Sequence, residues 1–132
     1  MNAHLREQLR KLRLSGLGES LEVRLQEAKS RRLDHAEFLE LIFQDELVVR
    51  RDRQIARHTK AAGFRELKSL DEFDFEFNRG VKKKLVYELA AGDFVRKGRD
   101  AILVGPPGVG KSHLVQSIGR ELIREGYTVY YR

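Results

Sequence analysis

Ala101-Ile102-Leu103-Val104-Gly105-Pro106-Pro107-Gly108-Val109-Gly110-Lys111-Ser112 is the stretch whose reading decides the fold. Four apolar residues in a row have the pattern of a buried parallel strand. They run directly into G-x-x-x-x-G-K-S, the spacing of a phosphate-binding P-loop. Small residues let the backbone wrap a phosphate, so that successive N–H groups from Gly108 to Ser112 point at its oxygens. A helix beginning near Gly110 adds the positive end of its dipole. Lys111 is then placed to reach the β- and γ-phosphates of ATP, and the Ser112 hydroxyl to bind Mg²⁺. The candidate nucleotide-binding residues are Gly105, Pro106, Pro107, Gly108, Val109, Gly110, Lys111, Ser112 and His113, with Ser112 also the metal ligand. At His113, packing against a neighbouring helix is favoured over phosphate contact.

Downstream, the helix continues to Glu125, Gly126 caps it, and Tyr127 to Tyr131 reads as a second strand. Upstream, Val81, Leu85 and Leu89 predict a helix to about Phe94, opened by a Lys82-Lys83-Lys84 run that faces solvent or phosphate. Phe73, Phe75 and Phe77 alternate with acidic residues, the period of an extended segment. Residues 64–80 are therefore read as a linker lying against the following domain. Core packing is expected of two of the three phenylalanines, and a place beside the adenine is the other reading of the stripe.

The first 63 residues read as helical throughout. Leu5, Leu9 and Leu12 predict a helix over 3–14, and Ser15-Gly16-Leu17-Gly18 is read as its break. A second helix is predicted from Glu19 to about Arg31, with Leu21, Leu25 and Ala28 on one face. Asp34 and Glu37 have the spacing of a capping box, flanked by Leu33 and Phe38 as a hydrophobic staple. The helix they open runs to Ala62, where Gly63 ends it. Its second half is basic. Residues 50–68 hold seven Lys or Arg against two acids, most of the surplus in a chain of net charge +6. Such a stripe can neutralise successive phosphates, so Arg50, Arg51, Arg53, Arg57 and Lys60 are candidate DNA contacts.

Composition narrows the classes. The chain has 132 residues and no cysteine, which excludes disulfide scaffolds and thiolate metal sites. His4, His35 and His58 are scattered, so no metal beyond nucleotide-borne Mg²⁺ is expected. No apolar run is long enough to span a bilayer and no secretory leader is evident, so a soluble cytoplasmic protein is expected.

Gly-Pro-Pro-Gly-Val-Gly-Lys-Ser-His-Leu at 105–114 resembles the loop of AAA+ ATPases. Further residues narrow the resemblance: Ala61-Ala62-Gly63-Phe64, Phe73-Asp74-Phe75, Glu88-Leu89-Ala90 with Phe94-Val95, and Lys111-Ser112-His113-Leu114. With these the chain resembles the IstB-like transposition helper ATPases, close kin of the DnaC helicase loaders. The resemblance implies an α/β P-loop NTPase core of AAA+ type preceded by an all-α domain. It divides the chain into a helical domain at 1–63 for DNA or partner binding, a linker at 64–80, and the N-terminal part of an ATP-binding domain at 81–132. It also implies ATP and Mg²⁺ as cofactors, DNA and a transposase as partners, and self-association through the AAA+ domain when complete.

A complete domain of this kind would run on for roughly another hundred residues. The core is thus expected to be incomplete, without Walker B strand, sensor residues or arginine finger, and not to hydrolyse ATP by itself. Ile102, Val104, Val129 and Tyr131 are expected to stay uncovered, leaving an isolated chain poorly soluble or partly unfolded in its C-terminal half. The alternatives are a DnaC-like loader that grips a replicative helicase, and a non-catalytic protein that inhibits by occupying partner interfaces.

Overall fold

The computed structural model describes residues 1–77, 80–106 and 110–132, and the chain divides into two compact units, Met1–Gln54 and Ile55–Arg132. In the first, α1 (Ala3–Lys11) packs on α2 (Ser15–Arg31), and the first part of α3 (His35–Ala62) completes the core. Leu17, Leu21 and Ile42 are buried, with Leu5, Leu9, Leu14, Leu25 and Phe38 against them. The capping box is present: Glu37 N–H donates to Asp34 Oδ1 at 2.8 Å and Asp34 N–H to Glu37 Oε2 at 3.0 Å. Gly63, at φ +75°, ends α3.

The break expected at 15–18 is the first turn of α2, and α1 stops at Lys11 rather than running on to residue 14. The two glycines serve packing more than turning. A Cβ on Gly16 would lie 2.7 Å from Val49 Cβ, so only glycine lets α2 approach α3 this closely. The approach brings the Leu17 amide onto Glu46, a residue only 4% exposed. Leu17 N–H donates to Glu46 Oε2 at 2.7 Å and Arg50 Nε to Oε1 at 2.9 Å. Burial alone would raise the Glu46 pKa; the amides of Leu17 and Gly16 and the Arg50 guanidinium outweigh it and hold the carboxyl below its usual range. Beside it, Arg24 grips both oxygens of Asp45 at 2.8 Å, and the Ser20 hydroxyl donates to the same group at 2.6 Å. Together they depress Asp45 to about 2.

The second unit is organised around α6 (Lys111–Arg124), packed on α4 (Lys83–Ala90) and on a 3-10 turn at Leu70–Glu72. Leu114, Ile118 and Leu122 of α6 join Leu70, Phe73, Val86 and Ala90 in one core. Each large apolar side chain buried there contributes about 2 kcal/mol. The helix expected over 81–94 is interrupted: Gly92, at φ +86°, separates α4 from α5 (Asp93–Arg96).

Two expectations change here. Residues 64–77 are not one extended stretch: bends, turns and the 3-10 turn alternate with short irregular pieces such as 67–69. This strap belongs to the second unit's core, as does Ala62, which is 2% exposed and whose carbonyl accepts from Tyr131 N–H at 2.7 Å. The division between units accordingly falls inside α3 rather than after Gly63. Second, no strand occurs among the described residues, at 101–104 or at 127–131. A parallel strand exists only through its ladder of neighbours, and neither segment has one. Ile102 and Val104 are 86% and 89% exposed, as expected of an unpaired segment. Val129 and Tyr131, by contrast, are half-buried, the first against the core and the second against Phe64.

Gly16→Ala is expected to destabilise the first unit by about 1–3 kcal/mol through overpacking. Gly18→Ala, whose Cβ meets only Leu9 at 3.7 Å, stabilises α2 by up to about 1 kcal/mol. Paired urea titrations check both. Acid weakens the same unit: a depressed carboxylate stabilises above its unfolded pKa and ceases to do so as pH falls through its folded one. For Asp45 that window runs from about pH 4 down to about 2, and Asp45→Asn removes this part of the acid transition in a pH melt.

Candidate functional site

Gly110 is the residue on which the site turns. It stands at φ +84° as the N-cap of α6, and a Cβ there would meet Phe73 Cε2 at 2.8 Å. Glycine is required twice over, for the left-handed backbone and for the aromatic ring closed against it. Among the described residues no side chain caps α6. The first-turn amides and the dipole end at Lys111, Ser112 and His113 suit an anion in the capping position. The Lys111 ammonium donates to the Gly105 carbonyl, which draws the lysine back toward the start of the motif. Ser112 is exposed at the start of the helix. These groups fit a phosphate chain with an accompanying cation: amides and an ammonium for the oxygens, a hydroxyl for the metal. Gly105, Pro106, Gly110, Lys111, Ser112 and His113 are described, whereas Pro107, Gly108 and Val109 lie outside the described residues.

His113 turns away from the phosphate position. Its Nε2 donates to the Ser69 carbonyl at 3.0 Å, and its ring meets Phe73 edge-on at 5.3 Å. The side chain thus packs, though against the strap rather than a neighbouring helix, while the His113 amide stays among the first-turn N–H groups of α6. The phenylalanine stripe divides three ways: Phe73 is buried, Phe75 packs on the core and Phe77 is 80% exposed. Lys82, Lys83 and Lys84 face solvent, with the Lys83 ammonium 5.8 Å from the Phe75 ring and 5.9 Å from that of Tyr87.

Sequence reasoning missed the polar side of α6. Gln116 is 4% exposed and Ser117 is fully buried, yet both are polar. Gln116 Oε1 accepts from the amides of Arg65 at 2.8 Å and Glu66 at 3.0 Å, and the Ser117 hydroxyl donates to the Lys68 carbonyl at 3.2 Å. The signal was a Gln-Ser pair inside the run Leu114 to Ile118. Beside these bonds a cavity of about 420 Å³ opens onto Gly110, Ser112 and His113.

The basic residues of α3 fall into two groups. Arg50 and Arg53 serve the fold of the first unit, Arg50 through Glu46 and Arg53 through the Ser15 hydroxyl at 2.8 Å. Arg57 and Lys60, in the second unit, are exposed, as is Arg51. Arg50 and Arg53 are three residues apart in the first unit and Arg57 and Lys60 three apart in the second, so each pair shares a side of the helix, whereas Arg51 is turned about 100° away from Arg50. The first unit carries more of the same charge, for a cleft of about 610 Å³ has Arg6, Arg10, Arg13 and Arg53 in its walls beside Glu19 and Glu22. Among the described residues no acidic or histidine cluster could hold a metal, and no helix is long and apolar enough to cross a membrane.

A family model described as IstB-like ATP binding protein matches residues 7–132. A protein of Pseudomonas aeruginosa named for ATP binding in insertion sequence IS21 is 36% identical over 123 residues, covering 93% of this chain and 46% of its own length. An insertion-sequence protein of Mycobacterium tuberculosis, likewise named for ATP binding, is 34% identical over 127 residues, covering 96% of this chain and 51% of its own. A third, named for insertion sequence IS1162 of Pseudomonas fluorescens, is 33% identical over 132 residues, covering 99% and 57%. The chain spans about half the length of the curated relatives it matches. It belongs to the IstB-like ATP-binding protein family.

Gly110→Ala is expected to lower stability of the second unit by about 2 kcal/mol, from the backbone angle and the encounter with Phe73 together. Thermal melting followed at Tyr127 and Tyr131 checks it.

Proposed function

We propose that this chain binds ATP with Mg²⁺ at 105–112 and serves DNA transposition as a helper, engaging target DNA and assisting a transposase. The observation that carries the reading is the N-terminus of α6, where a left-handed Gly110, Lys111 and Ser112 stand in a row with no side-chain cap. The first-turn amides of α6 take the phosphate oxygens, Lys111 exchanges the Gly105 carbonyl for phosphate oxygens, and the Ser112 hydroxyl holds the cation. When bound, Mg²⁺ supplies charge neutralisation between the phosphates. The fold behind the loop is the first part of an AAA+ core, with 101–104 and 127–131 as strands that pair once neighbouring strands are present. Nothing among the described residues supplies an acidic Walker B pair beside Ser112, so the role assigned to this stretch is binding, and self-association accompanies a complete AAA+ domain. The cytoplasm is the compartment this chemistry suits.

DNA engagement rests on the basic residues of α3, Arg50, Arg51, Arg53, Arg57 and Lys60, and on the arginine-walled cleft of the first unit. Insertion-sequence names among the relatives support the transposition context over helicase loading.

Lys111→Ala is expected to weaken binding of a fluorescent ATP analogue with Mg²⁺ at least tenfold, with circular dichroism unchanged. Failure of the unaltered chain to take up the analogue saturably would overturn the nucleotide reading. For DNA, binding of a labelled duplex is expected to fall steeply with salt. Arg57→Gln with Lys60→Gln should reduce the slope of log affinity against log salt by about 1.8, or about 0.9 per lost phosphate contact. A slope that does not change would remove these two residues from the interface.

A further inference from the structure

The segment Phe64 to Phe73 runs antiparallel along α6, and its attachments are mostly polar. Phe64 closes over Gly119, where a Cβ would stand 3.0 Å from the ring. Then come the Arg65 and Glu66 amides on Gln116, the Lys68 carbonyl on Ser117, the Ser69 carbonyl on His113, and Phe73 on Gly110. Among the described residues Gln116 alone reaches in both directions. Its Oε1 takes the two strap amides, filling both lone pairs, while its Nε2 donates to the Ser112 carbonyl at 3.1 Å. The amide is buried, so its donor and acceptor ends are not interchangeable with water.

We infer that Gln116 is a positioning residue for the nucleotide site, tying the backbone of Ser112 to the strap at Arg65 and Glu66, so that ordering of Ser112 by a bound phosphate and cation tightens the strap. This inference rests on the nucleotide reading of 105–112. Ser112 is the only residue of the loop motif whose carbonyl Gln116 reaches among the described residues, and it is the one assigned to the cation. The strap in turn leads back through Gly63 to the basic half of α3, so the bond pattern gives nucleotide occupancy a mechanical route to that helix. The two ends of the side chain can be separated chemically. In Gln116→Glu, the carboxylate still accepts from Arg65 and Glu66. At Ser112, however, it sets an oxygen against a carbonyl oxygen where a donor stood. Gln116→Met keeps the length and removes all three bonds without adding charge.

The test uses the whole chain, ATP with Mg²⁺ and ATP with EDTA, reading affinity by calorimetry and exchange of the Arg65 and Glu66 amides by NMR. In the unaltered chain, ATP with Mg²⁺ is expected to slow exchange of both amides at least tenfold. Gln116→Glu should keep the slow exchange of the nucleotide-free protein, lose the further slowing, and bind ATP with Mg²⁺ about tenfold more weakly. The loss should be smaller in EDTA. Simple repulsion by the new charge predicts the opposite order, because ATP without Mg²⁺ is the more negative ligand. Gln116→Met should expose both amides and weaken ATP with Mg²⁺ to a similar degree; if it does not fold, Gln116→Glu decides alone. Affinities within twofold of the unaltered chain, a larger loss in EDTA, or strap amides indifferent to ATP with Mg²⁺ would each overturn the inference while leaving the nucleotide site standing. No saturable uptake by the unaltered chain would bring down the nucleotide reading and this inference together.

Discussion

Everything in the second unit depends on α6 satisfying two opposite demands at once. One set of its side chains, Leu114, Ile118 and Leu122, must leave water and pack against α4 and the 3-10 turn. Another set, His113, Gln116 and Ser117, must find hydrogen-bond partners in the same interior, because a buried polar group left unpaired costs about 1–3 kcal/mol. The strap solves the second demand. Its turns free backbone amides and carbonyls that no ladder has claimed, and α6 takes them one by one. A regular strand at 64–77 would have pointed those groups sideways to a neighbour instead.

The first unit resolves a similar conflict with charge. Glu46 sits nearly sealed between α2 and α3, and its carboxylate is tolerated because two backbone amides and a guanidinium converge on it. Gly16 makes that convergence geometrically available by letting the helices touch. Part of the basic character of α3 is therefore structural. Arg50 is anchored on Glu46 and Arg53 on Ser15, so their guanidinium groups are held in place rather than left to wander, which lowers the ordering cost of any later phosphate contact.

Local rules were readable where a few adjacent residues settle the matter. The Asp34–Glu37 box and the Gly63 stop both depend on neighbours within one helical turn. The readings that changed depend on distant partners. Gly16 looked like a breaker because its reason, Val49, is thirty-three residues away in sequence. The phenylalanine alternation looked extended because period alone cannot say whether a ladder exists to hold it. The run Ala101 to Val104 has the composition of a strand, but composition does not supply the neighbouring chain that a strand pairs with.

What the amino-acid order determined by itself was the presence of the main helices and the span of α3, the phosphate-binding signature at 105–112 and the concentration of positive charge between Arg50 and Lys68. These follow from short-range periodicity, capping and charge. Tertiary structure decided that Gln116 spans from Ser112 to the strap, that His113 serves Ser69 rather than the loop, and that Ala62 belongs with Tyr131. A hydrogen bond is directional and acts over about 3 Å, so its partner is set only once the chain has brought remote segments to that distance.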